Sequence, residues 1–245
     1  MAAAAVKPLA IDLFCGLGGW TEGLLAAGYD VIGFDNEQHE YGDHKYPAQL
    51  VLQDVRTIDG ARFAGAALIV ASPPCQEFSY MAMPWSRAKA KARAYREHPE
   101  TQAQLTELFD ACFRIQREAC AAAGRHIPLV VENVRGAQKW VGRSRWHFGS
   151  FHLWGDVPAL MPMTGKIAKV PGFRFDGSGG SFQSASVAGI KVGGEWFGKG
   201  NDMSPMRQHS SKSSKRKAAS AMIAKIPLEL ARWIGQSWLP RLEAA

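Results

Sequence analysis

The chain has 245 residues, 47% of them apolar and 21% charged, and 29 Lys and Arg against 22 Asp and Glu leave a formal charge of +7. These figures suit a soluble globular protein with one substantial core, and the basic balance is compatible with a polyanionic partner. No stretch approaches the roughly 20 apolar residues that span a bilayer, and Met1 to Ala5 lack the charged start and long apolar run of a signal peptide, so no membrane association and a cytoplasmic location are expected. Cys15, Cys75, Cys112 and Cys120 form no CxxC pair and no His/Cys cluster of zinc-finger spacing, so neither disulfides nor a metal site is expected.

Leu9 to Phe14 reads as a first strand, followed by a glycine-rich turn and a helix over Trp20 to Ala27 that Gly28 caps. Val31 to Phe34 is a second strand and Leu50 to Leu52 a shorter third. Ala66 to Ala71 is a buried strand, and Pro73 and Pro74 end it stiffly, because each fixes φ and removes a donor. A polar, alanine-rich loop or loose helix runs on to Pro99. Thr101 to Ala123 is the clearest helix, with Leu105, Leu108, Phe109, Cys112, Phe113 and Cys120 on one face and Gly124 as its stop. That places Cys112 and Cys120 in the core. Leu129 to Val131 is the next buried strand. Short apolar runs alternating with helices predict a doubly wound α/β fold over 1–155. From 156 to 217 glycine, serine and proline interrupt short patches, which reads as a small irregular lobe. Residues 218–245 return to a helical pattern expected to pack back on the first domain, with Pro227 breaking or kinking it.

Three stretches carry chemistry. Asp12 to Gly19 (DLFCGLGG) joins a strand to a helix, and its glycines permit positive φ and close approach of a ligand. Thr21 stands where a dinucleotide fingerprint wants its last glycine, so a tight structural turn is the plain alternative. Acids follow successive strands: Asp35 and Glu37 after the second, Asp54 after the third. Alone each is a solvated turn residue as readily as a ligand; together they favour a nucleoside cofactor. Cys75, held just past a strand end, is placed to act as a nucleophile, although a free cysteine is usually a small buried hydrophobe. Glu132 ends another strand, where an ion-pair role is the alternative. Two basic runs, Arg87 to Arg96 and Lys212 to Lys217, read in isolation as solvated faces, but the first lies directly after Cys75.

DLFCGLGG, SPPCQEFS and VVENV, in this order, resemble the C5-cytosine-specific DNA methyltransferase family in its compact phage or bacterial form. The resemblance is strong over residues 9 to 136. It implies a doubly wound Rossmann-like core that binds S-adenosylmethionine, with the small lobe recognising the target. Phe14 would pack on adenine within a cofactor set of Asp12, Gly16, Leu17, Gly18, Gly19, Asn36, Val55 and Pro73. Asp35, preferred, or Glu37 would bind the ribose hydroxyls, and Asp54 would meet the adenine amino group. Cys75 would be the nucleophile that adds to cytosine C6, and Glu132 the carboxyl group at N3, positioned by Asn133. Arg143 and Arg145 best match the family's Arg-x-Arg element; binding phosphate or lying on the surface are the other readings. Gln76, Ser79, Arg87, Lys89, Lys91 and Arg93 would meet nucleic acid. The implied partner is double-stranded DNA, the implied form a monomer, and the implied setting a bacterial or phage-infected cell, with restriction–modification one context. A tRNA substrate, a catalytically silent nucleic-acid-binding relative and a small-molecule methyltransferase are the alternatives.

Overall fold

In the computed structural model, residues 6–78, 85–161, 217–218, 221 and 224–240 are described. Two compact units divide the chain: Met1–Glu40, His44–Met161 and Ile226–Ala245 form the first, and Tyr41–Asp43 with Pro162–Lys225 the second. The expected recognition lobe at 156–217 falls almost wholly outside the described residues.

The first unit is built on β1 (Leu9–Leu13), β2 (Asp30–Asp35), β5 (Gln49–Leu52), β6 (Leu68–Ala71), β7 (Leu129–Asn133), β8 (Trp146–Phe148) and β9 (Phe151–Gly155). Two short strands, β3 (Glu40–Tyr41) and β4 (His44–Lys45), fall between β2 and β5 along the chain. The seven strands order as β5-β2-β1-β6-β7-β9-β8. All neighbours are parallel up to β7; β9 then runs antiparallel to β7, and β8 to β9. The chain moves outward from β1 to β2 and β5, then returns to place β6 on the other side of β1. That reversal makes a crevice beyond the carboxyl ends of β1 and β6, where doubly wound folds bind ligands.

Buried parallel strands explain the apolar runs, and the period of two divides them between two cores. Ile11, Leu13, Ile69, Ala71, Leu129 and Val131 face one side, against Phe109, Cys112 and Ile115 of helix α3 (Pro99–Ala123). Ala10, Leu68, Val70 and Val130 face the other, against Trp20 and Leu24 of helix α1 (Gly19–Ala27). Helix α5 (Leu228–Trp238) covers α1 with Leu230, Ala231 and Ile234. The two helices touch closely: a Cβ on Gly23 would come within 2.3 Å of the Ala231 Cβ. Tyr29 adds a bond from its hydroxyl to the Gly235 carbonyl at 3.0 Å.

Several elements differ from the expectation. The segment before Pro99 holds a regular helix, α2 (Trp85–Glu97), because its Ala, Lys, Arg and Glu are strong helix formers even where, among its described side chains, Ala92 alone is buried. Helix α3 begins at Pro99, whose missing N–H costs nothing in a first turn. Cys112 is fully buried as expected, whereas Cys120 is half-buried and its sulfur accepts from the Ile127 N–H at 3.2 Å. Pro227 stands immediately before α5 and sets its start. The β8–β9 hairpin was not foreseen at all; its strands are short, and aromatic residues crowd both faces.

Candidate active site

The glycine turn leaves β1 through positive φ at Phe14 (58°), Gly16 (51°) and Gly18 (77°). A non-glycine residue in that region is strained and is kept there by its surroundings. Here the bracing is visible: Cys15 N–H donates to the Phe34 carbonyl at 3.2 Å, and Gly16 N–H to Asp35 Oδ2 at 2.9 Å. The other oxygen, Asp35 Oδ1, accepts from Glu37 N–H at 3.2 Å. Buried Asp35 thus ties the glycine turn to the end of β2, while Asn36 and Glu37 stand exposed just beyond. Gly18 has no room for a side chain, since a Cβ would come within 2.5 Å of Pro47 Cδ; a Cβ on Gly16 would meet nothing within 4 Å.

Beneath the turn, Thr21 Oγ1 donates to Asp12 Oδ2 at 2.7 Å and lies 2.6 Å from the Tyr46 hydroxyl, which therefore donates to it. Asp12 is fully buried and its Oδ1 has no partner among the described residues. Burial raises the Asp12 carboxyl to about 7, against the opposing bonds from Thr21. Asp54, after β5, caps a short 3-10 turn and grips the Arg56 guanidinium, Nη2 to Oδ2 at 2.6 Å, which lowers its pKa. The next residue, Val55, is buried in the core.

Cys75 follows β6 through Ser72, Pro73 and Pro74. Ser72 N–H donates to the Leu13 carbonyl at 3.1 Å, which binds this loop to the glycine turn. Phe78 N–H donates to the Cys75 carbonyl at 3.0 Å, and the Phe78 ring is buried, anchoring the loop behind the cysteine. From β7, Asn133 Nδ2 donates to the Pro73 carbonyl at 2.9 Å while its Oδ1 accepts from Val134 N–H at 2.8 Å. Asn133 therefore spans the Glu132 strand and the Cys75 loop. Glu132 is buried on the α1 side, and burial raises it to about 8; Ser72 opposes the shift as a hydrogen-bonding neighbour. Trp20 Nε1 donates to Ser72 Oγ at 3.0 Å, so α1 touches the same hydroxyl. Burial first, and then the charge of Glu132, raise the Cys75 thiol. Asn133, next to Glu132, holds the Pro73 carbonyl two residues before Cys75, and this bond brings the two groups into one site.

The expected nucleic-acid residues fare unevenly. Gln76 and Lys89 are exposed. Lys91 pairs with Glu77, which also accepts from the Tyr95 hydroxyl at 3.2 Å, and Arg93 pairs with Glu97 at 2.7 Å. Ser79 and the Arg87 side chain lie outside the described residues. Arg143 and Arg145 are exposed on the segment entering β8, and Arg145 N–H donates to the Leu153 carbonyl at 2.8 Å. Sequence reasoning missed Trp20, Thr21, Tyr46, Ser72 and Glu77 as members of the site. Trp20 and Thr21 carried a signal in their place directly after Gly19, and Ser72 and Glu77 in theirs beside Cys75 within SPPCQEFS; Tyr46 carried none. Among the described residues there is no cluster of three His, Cys, Asp or Glu able to hold a metal, and no helix long and apolar enough to cross a membrane.

A family model described as the C-5 cytosine-specific DNA methylase matches residues 9–138, more than half of the 245. The chain belongs to that family. Its match spans the glycine turn, Cys75, Glu132 and Asn133 together. The C-5 cytosine-specific DNA methylases methylate cytosine at C5, with S-adenosylmethionine as methyl donor. No curated relative matches the chain. Among solved structures, it is similar to a prophage-encoded Escherichia coli protein assigned as a DNA modification methyltransferase, at 23% identity and a TM-score of 0.33, covering 54% of this chain and 33% of that one. The Dnmt2 methyltransferase of S. pombe gives 15% identity and a TM-score of 0.33, over 56% of this chain and 37% of that one. The chain thus spans about a third of the length of each of these proteins.

The cradle suits the family's donor. It offers backbone approach at Gly16, a buried Asp12 oxygen without a partner among the described residues, and carboxylates after β2 and β5.

Proposed function

We propose that the protein methylates C5 of cytosine in DNA through a covalent adduct between Cys75 and C6. The observation that carries this reading is geometric: Asn133, next to buried Glu132, holds the Pro73 carbonyl of the Cys75 loop at 2.9 Å, and burial raises the Glu132 carboxyl to about 8. A carboxyl that keeps its proton at neutral pH is a hydrogen-bond donor, which is what N3 of a cytosine under attack requires.

S-adenosylmethionine would be held by Asp12, Phe14 and Gly16 to Gly19, with Leu17, Asn36, Val55 and Pro73 around it. Asp35, whose oxygens each accept one backbone N–H and keep further lone pairs, or Glu37 would bind the ribose hydroxyls, and Asp54 would face the adenine amino group. When bound, it supplies an electrophilic methyl group to C5. The Cys75 thiol gives up its proton to water and the sulfur adds to C6, while the C5=C6 electron pair moves toward C5 and Glu132 protonates N3. A proton kept on Glu132 relieves the negative charge that otherwise raises the Cys75 thiol. Asn133 keeps the Cys75 loop fixed relative to Glu132 throughout. Once C5 carries the methyl group, water takes the C5 proton, the C5–H electron pair restores the double bond and expels the Cys75 thiolate, and the N3 proton returns to Glu132.

C6 is out of reach in a stacked duplex, so the cytosine must be rotated into the site. Gln76, Ser79, Arg87, Lys89, Lys91 and Arg93 would meet the strand; phosphate would have to displace Glu77 from Lys91 and Glu97 from Arg93. Arg143 and Arg145 would hold the base and the cysteine. The test is nucleoside mass spectrometry on DNA and tRNA incubated separately with methyl-labelled S-adenosylmethionine. 5-Methylcytosine in DNA, absent with Cys75→Ser, is expected. Label in tRNA alone would replace the substrate, and no label in either while the donor binds would overturn the assignment.

A further inference from the structure

The Arg143–Ser144–Arg145 segment is exposed at both arginines and half-buried at the serine between them. What holds the serine is unusually complete. Its backbone N–H donates to Gln138 Oε1 at 3.1 Å, and its Oγ lies 3.1 Å from the same oxygen. A backbone N–H can only donate, so the amide oxygen of Gln138 faces Ser144. The serine hydroxyl must then spend its one hydrogen on that oxygen. Ser144 Oγ also lies 2.9 Å from His152 Nδ1, and with its hydrogen used it can only accept there. His152 is therefore the tautomer with hydrogen on Nδ1. Burial, followed by the charges of His147 and Arg135, lowers its pKa to about 4, so the ring is neutral at working pH.

The two anchors belong to the catalytic framework. Helix α4 (Gln138–Val141) carries Gln138 just beyond the end of β7. On β9, His152 pairs across the sheet with Asn133, the residue that holds the Pro73 carbonyl. Ser144 is thus tied to the strand bearing Glu132 and, one step further, to the loop bearing Cys75.

We propose that Ser144 is a positioning residue which, held by Gln138 and His152, fixes Arg143 and Arg145 beside the reacting cytosine. The inference rests on the functional reading above for what the arginines touch, but not for the holding itself. Long exposed arginines lose considerable side-chain entropy when ordered, and a backbone pinned at the residue between them removes part of that loss in advance.

The experiment pairs Ser144→Ala with Ser144→Thr, and His152→Leu with His152→Asn, whose amide N–H can replace Nδ1–H. Hydrogen exchange over residues 142–146 reads the holding directly, whether or not the protein is active. Loss of the hydroxyl bonds is expected to speed that exchange about tenfold, the worth of one hydrogen bond. The kcat for DNA methylation is expected to fall roughly tenfold as well, with the KM for S-adenosylmethionine unchanged. Ser144→Thr and His152→Asn should restore both. Unchanged exchange in Ser144→Ala overturns the proposal. So does faster exchange with an unchanged kcat, or a threonine variant no better than alanine. Were the wild type to methylate neither DNA nor tRNA, the functional reading would fail on its own, and exchange together with DNA affinity would still decide the role of Ser144.

Discussion

Replacing Glu132 by Gln removes a proton equilibrium while nearly preserving shape, and its effect on stability follows from the buried carboxyl. Below the ordinary value of 4.5 both the folded and unfolded states hold the Glu132 proton, so this source makes no difference. Above 4.5 the unfolded chain releases the proton while the fold retains it up to about 8, and stability falls with rising pH across that window. Each pH unit costs about 1.4 kcal/mol. The penalty therefore reaches about 3 kcal/mol near pH 7 and levels off near about 5 kcal/mol above pH 8. Glutamine carries no such penalty. Urea unfolding of the two proteins from about pH 4 to 9 should give a gap that opens in favour of Glu132→Gln with that slope, worth about 6–12 °C in Tm near pH 7. Asp12, also raised by burial, acts alike in both proteins and cancels. A constant offset reflects the different hydrogen bonding of an amide; the slope carries the information. A gap independent of pH would refute the claim that the fold keeps Glu132 protonated.

Asn133→Ala removes one buried and one partly buried hydrogen bond, the first of them to the Pro73 carbonyl. A loss of about 2–3 kcal/mol in unfolding free energy is expected, with turnover reduced more than donor binding, as separate titrations would show. Gly18→Ala combines a strained φ with a Cβ 2.5 Å from Pro47 Cδ, so calorimetry should find donor affinity reduced at least tenfold; unchanged affinity would move the cofactor site elsewhere. Cys75→Ser should abolish turnover and leave donor binding nearly intact, since the Cys75 side chain serves the base. Gly23→Ala forces α5 away from α1 and should cost about 1–3 kcal/mol by thermal unfolding.

How much could be read in advance depended on how local the signal was. β1, β6 and β7 were legible because a buried parallel strand is a continuous apolar run, and each ends in residues with chemical character: Asp12 with the glycines, Pro-Pro-Cys75, and Glu132–Asn133. The roles inside the site were less legible. Asp35 stands at a strand end where a ligand carboxylate is expected, and its oxygens also accept the Gly16 and Glu37 N–H groups; no periodicity reveals which N–H a carboxylate will meet. The Trp20–Ser72 bond joins residues far apart in sequence, and Tyr46 reaches Thr21 from beyond β2; such contacts arise only once the sheet is assembled. Helix α2 was underestimated because it has almost no apolar face, so propensity rather than patterning forms it. The pairing of Lys91 with Glu77 likewise needed the helix to be placed before its charge could be seen to be partly matched.

On the mechanism proposed above, Cys75 adds to C6 of cytosine in DNA. This addition is tested most directly with a duplex carrying 5-fluorocytosine, because fluorine at C5 cannot leave as a proton and the adduct cannot break down. With S-adenosylmethionine present, the account predicts a denaturant-stable protein–DNA species. Peptide mass mapping should place the link at Cys75, and Cys75→Ser should give none. A link at another residue would contradict it, as would methylation of ordinary cytosine in DNA with no trapped species.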